Sequence, residues 1–314
     1  MNKKFLYLIP REKRFYKLRD ERIISNTLKE LSYDIIEINK FYNVNLIKHC
    51  IRYKIDGIIF NSLKIGMKCD KFFDLNNRLF HIPLYWWYFD AVRFPNRYKK
   101  VVNIAKKTSI FFNKDKIEFK KYKNMNIKPI WLDQGTPSIC NFVRTKKIKY
   151  DLGYFGSLSK VHSNRLAILM ALNKKYNIVI YSKDYKNFKD YGFINSFPGI
   201  SQSDIGQKVS EIKITLCLNG DISNPYYWSN RIHLMLGSGA FCIVEKTEGL
   251  QKFYKDKKDC IYFKNQNELM KKIKKWINSD KRNQIRKNGF KKAHSENSYK
   301  NKITEFLNHI SCNQ

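Results

Sequence analysis

The residues best suited to bind an anionic ligand lie in the segment 219–250, which reads NGDISNPYYWSNRIHLMLGSGAFCIVEKTEGL. An apolar run at residues 212–218 predicts a buried strand just before it, and a helix is predicted to begin at Ser229 or Asn230. Arg231 would then lie in the first helical turn, where unbonded backbone N–H groups and the positive end of the helix dipole attract anions. Together these features suit a diphosphate; the alternative is that Arg231 is an ordinary surface residue.

Apolar runs that alternate with helical patterns predict parallel sheets covered by helices on both faces. In the first half of the chain, strands are predicted at residues 4–9, 33–38, 55–60, 82–89, 108–112 and 127–132. In the second half they are predicted at residues 150–155, 177–181, 212–218, 240–245 and 260–263. Helices are predicted at residues 12–31, 44–53, 114–123, 164–174, 204–210, 267–277 and 280–294. Gly237 and Gly239 are expected to end the helix that begins near Arg231.

The chain has 314 residues, enough for two domains. A charged stretch without periodicity, RTKKIK at residues 144–149, is the predicted linker. We therefore predict an α/β fold with two doubly wound Rossmann-like domains facing a cleft, the first at residues 1–144 and the second at 145–314. Doubly wound sheets bind ligands at the carboxyl ends of their strands. The residues predicted to bind ligand are those at strand ends of the second domain that face the cleft. These are Gly156, Ser157, Ser182, Lys183, Asn219, Tyr227, Trp228, Ser229, Asn230 and Arg231.

Charge is the most unusual feature of the composition, because the formal net charge is +34 at pH 7. Such an excess is typical of proteins that bind nucleic acid or an anionic membrane surface. Here most of it is Lys scattered over the whole chain, which favours solvated side chains over a nucleic-acid groove with clustered Arg. Binding of nucleic acid is therefore not expected but stays open, as does peripheral attachment to an anionic membrane.

The sequence indicates no CxxC pair, no signal peptide, no membrane span and no metal site. The seven cysteines form no CxxC pair and are expected to be reduced, buried thiols of a cytoplasmic protein. No stretch has the pattern of a signal peptide or the length of a membrane span. No cluster of His, Cys and carboxylates has the spacing of metal ligands, so no metal and no cofactor is predicted.

The motif WSNRIHLMLGSGAF, followed by TEGL, resembles the C-terminal domain of glycosyltransferases with the B-type fold, in particular the family of the spore maturation protein CgeB. Members tend to carry aromatic-Ser-x-Arg-x-x-Glu-x-x-x-x-Gly-x-Phe and then Glu-Gly-Leu. The matching residues are Ser229, Arg231, Gly239, Phe241, Glu248, Gly249 and Leu250. Leu234 stands where the family has Glu, a residue that contacts the donor in related sugar-nucleotide enzymes. Weaker similarity extends to YDLGYFGS, IYSKD, the aromatic strand IPLYWWYFDA and the closing helices.

The resemblance implies a metal-independent glycosyltransferase that moves a sugar from a nucleotide-diphosphate sugar, its co-substrate, to a hydroxyl of a glycan, lipid or protein. It implies that Arg231 and Ser229 hold the diphosphate and that Glu248 accepts hydrogen bonds from two ribose hydroxyls. For Glu248 the alternative is an acid that stabilises a helix N-terminus. Two other functions stay open: a binding protein that has lost activity with the Glu replaced by Leu234, and a transferase that acts on DNA bases.

Transfer to a hydroxyl also needs a base, which is expected from the first domain. Asp90 is the candidate, because it ends an aromatic strand where partial burial would favour that role; the alternative is an Asp that caps the next helix. His81 is more typical of a turn, and His233 of a packed helix residue. Trp86 and Trp87 are expected in the core and in the wall of the cleft, where one could stack on an acceptor sugar.

Overall fold

The computed structural model describes residues 3–10, 20–39, 43–91, 95–144, 147–158, 163–219 and 224–312. They form two compact units. Unit 1 contains Met1–Gln134 and Lys302–Gln314, and unit 2 contains Gly135–Asn301. The predicted domain boundary at residue 144 lies after the division found at Gln134. The sequence prediction also placed residues 302–314 in the second domain, whereas the structure groups them with unit 1.

Side-chain packing explains where the units divide. Thr136 belongs to unit 2 because its backbone N–H donates to Asn297 O at 2.7 Å and its hydroxyl donates to His233 O at 3.1 Å. Phe306 belongs to unit 1 because its ring packs on Trp87 and Phe112, with ring centroids 5.6 Å and 4.8 Å apart. These contacts join residues far apart in sequence, so local composition does not indicate them.

Unit 1 is a parallel sheet of six strands in the order β2-β1-β3-β4-β5-β6. The strands are β1 Lys4–Leu8, β2 Asp34–Ile38, β3 Gly57–Phe60, β4 Leu84–Tyr88, β5 Ile110–Asn113 and β6 Pro129–Ile130. The helices are α1 Asp20–Glu30, α2 Asn43–Tyr53, α3 Leu63–Lys68, α4 Asp70–Leu75, α5 Pro95–Ala105 and α6 Phe119–Lys123. The strand order changes direction between β1 and β3, which is where doubly wound sheets commonly bind ligands.

Unit 2 is a second parallel sheet of six strands, in the order β12-β11-β10-β7-β8-β9. The strands are β7 Tyr150–Phe155, β8 Ile178–Tyr181, β9 Ser196–Phe197, β10 Ile212–Cys217, β11 Cys242–Glu245 and β12 Ile261–Phe263. The helices are α7 Ser163–Asn173, α8 Tyr185–Asp190, α9 Ile205–Ser210, α10 Arg231–Gly237, α11 Gln266–Trp276 and α12 Arg282–Ser295, and the chain ends with α13 Tyr299–Cys312. Here the order changes direction between β7 and β10.

Both sheets confirm the predicted fold class of two doubly wound α/β domains. The strands read as continuous apolar runs because both faces are covered, as in β4, where all five residues are buried. Trp86 and Trp87 lie in this strand and are fully buried, as expected for core residues. The predicted strand at residues 127–132 is only two residues long, because Pro129 lacks an N–H and can pair only at an edge.

Several elements depart from the sequence predictions. Of the helix predicted at residues 12–31, only Asp20–Glu30 falls within the described residues and is helical. The helices α3, α4, α5, α8 and α13 were not predicted. Most of these are short or begin without a side-chain cap; α3 and α4, for example, are six residues each and meet at Cys69. By contrast α11 was predicted from its amphipathic pattern, and in the structure Asn265 caps it by accepting from Glu268 N at 2.9 Å.

All seven cysteines are free; six are buried and Cys312 is exposed. No helix in the described part of the chain is both long and apolar enough to cross a membrane. Within the same residues, no group of three or more His, Cys, Asp or Glu side chains is placed to hold a metal ion.

Candidate functional site

The carboxyl ends of β10 and β11 meet at Asn219, whose side chain is fully bonded within the protein. Its Oδ1 accepts from Ser229 N at 3.1 Å, and its Nδ2 donates to Glu245 O and to Thr247 Oγ1 at 2.8 Å and 3.0 Å. Its backbone N–H donates to the Glu245 carboxylate at 2.7 Å. Asn219 was predicted to bind ligand, but these contacts assign it to holding the loop before α10.

Loss of these contacts should be measurable. We expect Asn219→Ala to lower the free energy of unfolding by about 1–3 kcal/mol, because it leaves buried donors and acceptors unpaired. Urea denaturation of the variant measures the change. Asn195→Ala is the matched control, since Asn195 donates one exposed hydrogen bond to Asn177 and should change stability little. Equal stability of the two variants would show that Asn219 does not hold the loop.

Arg231 lies where the strand order of unit 2 changes direction. Its guanidinium donates to Phe155 O at the end of β7 and to Leu218 O, at 2.7 Å, just after β10. Its Cζ lies 4.9 Å from the centre of the buried Tyr154 ring. A side chain at Gly156 would collide with this guanidinium and would have to displace it. Arg231 thus bridges the two strand ends, and its remaining N–H groups stay available to an anion.

Arg165, in the first turn of α7, was not predicted. Its side chain is 6% exposed, and its Nε has no hydrogen-bond partner among the described residues. Burial lowers the pKa of its guanidinium to about 10, and the positive charge of Arg231 adds to this shift. Glu245 is the carboxylate that acts on Arg165, and burial raises the pKa of that carboxyl. A buried cation, Arg165, thus lies beside a half-buried one, Arg231, an arrangement that an anion would stabilise.

The start of α10 differs from the prediction. The helix has only seven residues, so its dipole is small. Two of the N–H groups expected to be free are bonded: Arg231 N donates to Ser229 Oγ and Ile232 N to Ser229 O, both at 3.3 Å. Asn230 begins the helix without a side-chain cap, and its Oδ1 is buried with no partner in the described chain. The positive charge of this site therefore comes from the two arginines.

Gly237 and Gly239 end α10 as expected. Gly239 has a φ of 76°, a conformation that favours glycine, and the Ala240 N–H donates back to Met235 O at 3.0 Å. Phe142 packs where a side chain at Gly239 would lie.

The loops after β7 and β8 hold four predicted ligand residues. Gly156 N donates to Tyr181 O at 3.0 Å, and Ser157 is half-buried. Ser182 is buried, and its hydroxyl accepts from Asp184 N at 2.9 Å. Because Asp184 in turn accepts from Leu158 N at 2.9 Å, Ser182 stabilises the loops, whereas Lys183 is exposed to solvent.

The aromatic residues before α10 have different roles. Trp228 was predicted to bind ligand but is 1% exposed, and its indole N–H donates to His233 Nε2 at 3.4 Å. His233 Nδ1 lies 2.8 Å from the Tyr254 hydroxyl, so His233 is packed as expected. Tyr227 is half-buried and can still contact a ligand.

Glu248 is exposed, and no hydrogen bond or ion pair reaches its carboxylate from the residues that the structure describes. The loop around it is closely packed: Glu248 O accepts from Tyr226 N at 2.9 Å, and the Tyr226 ring lies against Gly249. Both Tyr226 and Gly249 have positive φ, 59° and 88°. The carboxylate is thus held on a defined loop without a protein partner.

In unit 1, Asp90 follows β4 at the rim of a pocket of about 810 Å³. The expected partial burial is not found, because 61% of the side chain is exposed and it forms an ion pair with Arg97. Arg97 also donates to the Tyr88 hydroxyl at 2.8 Å. Asp90 is therefore accessible to a ligand in the pocket and is held in position by a neighbour that is itself hydrogen-bonded.

Comparison with known proteins gives a consistent result. Residues 165–308 match the family model described as glycosyl transferase-like. Sucrose-phosphate synthase from Thermosynechococcus elongatus covers 100% of both chains with a TM-score of 0.70 and 9% identity. Anabaena Alr3699/HepE in complex with UDP and glucose covers 99% of this chain and 100% of its own, with a TM-score of 0.68 and 13% identity. The fold is that of the B-type glycosyltransferases.

A T4 phage BGT mutant in complex with UDP-glucose also matches, covering 99% of both chains at 13% identity with a TM-score of 0.64. No curated protein matches the sequence. The resemblance to B-type glycosyltransferases is thus confirmed at the level of the fold, whereas membership of the narrower CgeB-like family stays a prediction.

Proposed function

We propose that this chain is a glycosyltransferase that takes a sugar from a nucleotide-diphosphate sugar and transfers it to a hydroxyl of a glycan, lipid or protein. The observation that carries this proposal is the pair of adjacent guanidiniums, Arg165 and Arg231, where the strand order of unit 2 changes direction. The glycosyl transferase-like match begins at the first of them and includes the second.

Charge explains what the two arginines would do. The bond between sugar and diphosphate breaks with negative charge building up on the leaving oxygen, and fixed cations stabilise that charge. The free edge of Arg231 lies beside Gly156 and can donate to a phosphate oxygen, while the buried charge of Arg165 attracts the same anion at short range. Two permanent cations supply the charge that a metal ion supplies in other transferases, and the proposed reaction uses none.

The remaining roles go to two carboxylates. Glu248 is proposed to accept hydrogen bonds from two ribose hydroxyls, since its carboxylate has no partner in the described chain. Asp90 is proposed to take the proton of the accepting hydroxyl. Ser157, Lys183, Tyr227 and Asn230 are proposed to contact the donor, while Ser182, Asn219, Trp228 and Ser229 position the loops that carry it.

Calorimetric titration with uridine, guanosine and deoxythymidine diphosphates tests the proposal. We expect one of them to bind clearly, because the two arginines supply the charge and the surrounding loops supply base and ribose contacts. Turnover of the matching nucleotide sugar then separates an active transferase from a binding protein, the alternative that Leu234 keeps open. If none of the three binds at millimolar concentration, the proposal fails.

A second candidate is a transferase that acts on DNA bases, favoured by the net charge of +34 and by the structural match to the DNA modifying enzyme beta-glucosyltransferase at 14% identity and a TM-score of 0.63. Each phosphate contact by Lys or Arg releases counterions, so duplex binding would fall steeply between low and moderate salt. Weak duplex binding that does not change with salt concentration would exclude this candidate. Peripheral attachment to anionic membranes is a further proposal based on the same surface charge, and a cytoplasmic location is one based on the seven free cysteines.

A further inference from the structure

The pocket of unit 1 has a charge pattern that the proposed reaction does not by itself require. Its volume of about 810 Å³ is within the usual range for sites that bind small ligands. The charged side chains that line it are Lys64, Lys68, Arg97, Lys100, Glu21 and Asp90. Four are cations and two are acids, so the pocket is positive, and a concave wall strengthens the field of such charges.

The cations of the pocket are unevenly paired. Arg97 is bonded to Asp90, whereas no carboxylate pairs with Lys64, Lys68 or Lys100 among the residues that the structure describes. By contrast, Lys107, which lies elsewhere in unit 1, forms ion pairs with both Asp70 and Asp74 at 2.8 Å. The acids of α4 are therefore directed to Lys107 and not to the pocket.

Helix packing brings the unpaired lysines together. Lys64 and Lys68 are four residues apart on α3, where like charges on one face repel. Lys100 lies on α5, which packs closely on α3 at Gly66, since a side chain there would come within 2.9 Å of Ile104. Three cations without counter-ions thus line one wall, while Asp90 lies in the same pocket with the apolar residues Leu63 and Phe89.

We propose that the acceptor of this transferase is an anionic sugar, one that carries a phosphate or carboxylate group besides its accepting hydroxyl. The inference rests on the proposed function and specifies its acceptor. The anionic group lies against Lys64, Lys68 and Lys100, and the accepting hydroxyl lies near Asp90. Pocket size favours a small acceptor or the charged end of a glycan.

The test uses the full chain saturated with the diphosphate that binds it, so that Arg165 and Arg231 are occupied. Glucose 6-phosphate, glucuronate and glucose are then titrated separately by calorimetry. We expect at least one of the two anionic sugars to bind about tenfold more tightly than glucose, and the double variant Lys64→Ala, Lys68→Ala to remove that preference. Lys271→Ala, Lys274→Ala on α11 of unit 2 is the matched control, because both lysines are exposed and lie four residues or fewer apart outside the pocket.

The outcomes separate the two proposals. If the diphosphate binds but neither anionic sugar binds better than glucose at millimolar concentration, the inference about the acceptor is wrong and the proposed function stands. The same holds if the pocket variant keeps the preference or if the α11 variant loses it equally. Melting temperatures of both double variants control for unfolding. They should match that of the native protein, because all four replaced lysines are solvent-exposed.

Discussion

Asp90→Asn is expected to lower the rate of sugar transfer by about 100- to 10,000-fold, the usual contribution of a positioned general base. The amide keeps the shape of the side chain but cannot accept a proton, and it removes the charge that pairs with Arg97. Binding of the diphosphate should not change, because Asp90 lies in unit 1 and the two arginines in unit 2. Release of diphosphate from its nucleotide sugar in the presence of an acceptor measures the rate.

The control for this variant is Asp74→Asn, which also removes an exposed carboxylate from an ion pair in unit 1. Exposed ion pairs contribute about 0–1 kcal/mol to stability, so both variants should melt close to the native protein. A similar transfer rate for Asp90→Asn and Asp74→Asn would exclude Asp90 as the base. A much lower melting temperature for Asp90→Asn alone would show that its role is structural.

The second large effect is expected for Arg165→Met. Loss of this guanidinium should weaken diphosphate binding by about 1.5–3 kcal/mol, the usual value of a hydrogen bond to a charged group, which is roughly 10- to 150-fold in affinity. The melting temperature should fall less than that of Arg231→Met, because the unfavourable burial of a cation with an unbonded Nε offsets the loss of its interactions with Glu245 and Tyr154. Calorimetry and thermal melting on one variant measure both quantities.

Arg231→Met is the informative comparison. Arg231 bonds Phe155 O and Leu218 O, so its loss should lower both diphosphate affinity and melting temperature. The two variants thus separate ligand binding from bridging of the strand ends. If Arg165→Met melts lower and binds the diphosphate unchanged, Arg165 is structural and the central observation for the proposed function is lost.

Most of the sheet strands could be predicted from the sequence, because strands covered on both faces must be apolar throughout. The run YDLGYF, for example, corresponds to β7 Tyr150–Phe155. The short helices could not be predicted in this way. Six residues such as Leu63–Lys68 hold too few turns for a periodic pattern, and packing on α5 stabilises them instead.

The candidate site was predicted in part. The position of Arg231 near a strand end could be predicted, because the strand, the loop and the short helix that place it follow one another within one segment of the chain. Arg165 was missed because nothing in its own segment distinguishes an Arg in a first helical turn from a surface residue. Only its burial beside Arg231, 66 positions later in the sequence, gives it a candidate role.

The sequence by itself determined the α/β class, the two parallel sheets and the segment from which Arg231 and Glu248 come, because apolar periodicity and glycine positions act over a few residues. Only the tertiary structure decided which polar groups are already bonded. Asn219, Ser182 and Trp228 have the side chains of ligand-binding residues, yet their hydrogen bonds go to the protein. Arg165 keeps an unbonded Nε, and the lysines of the unit 1 pocket have no carboxylate partner in the described chain. Hydrogen bonds and burial join residues distant in sequence, so only the folded chain shows where charge is left for a ligand.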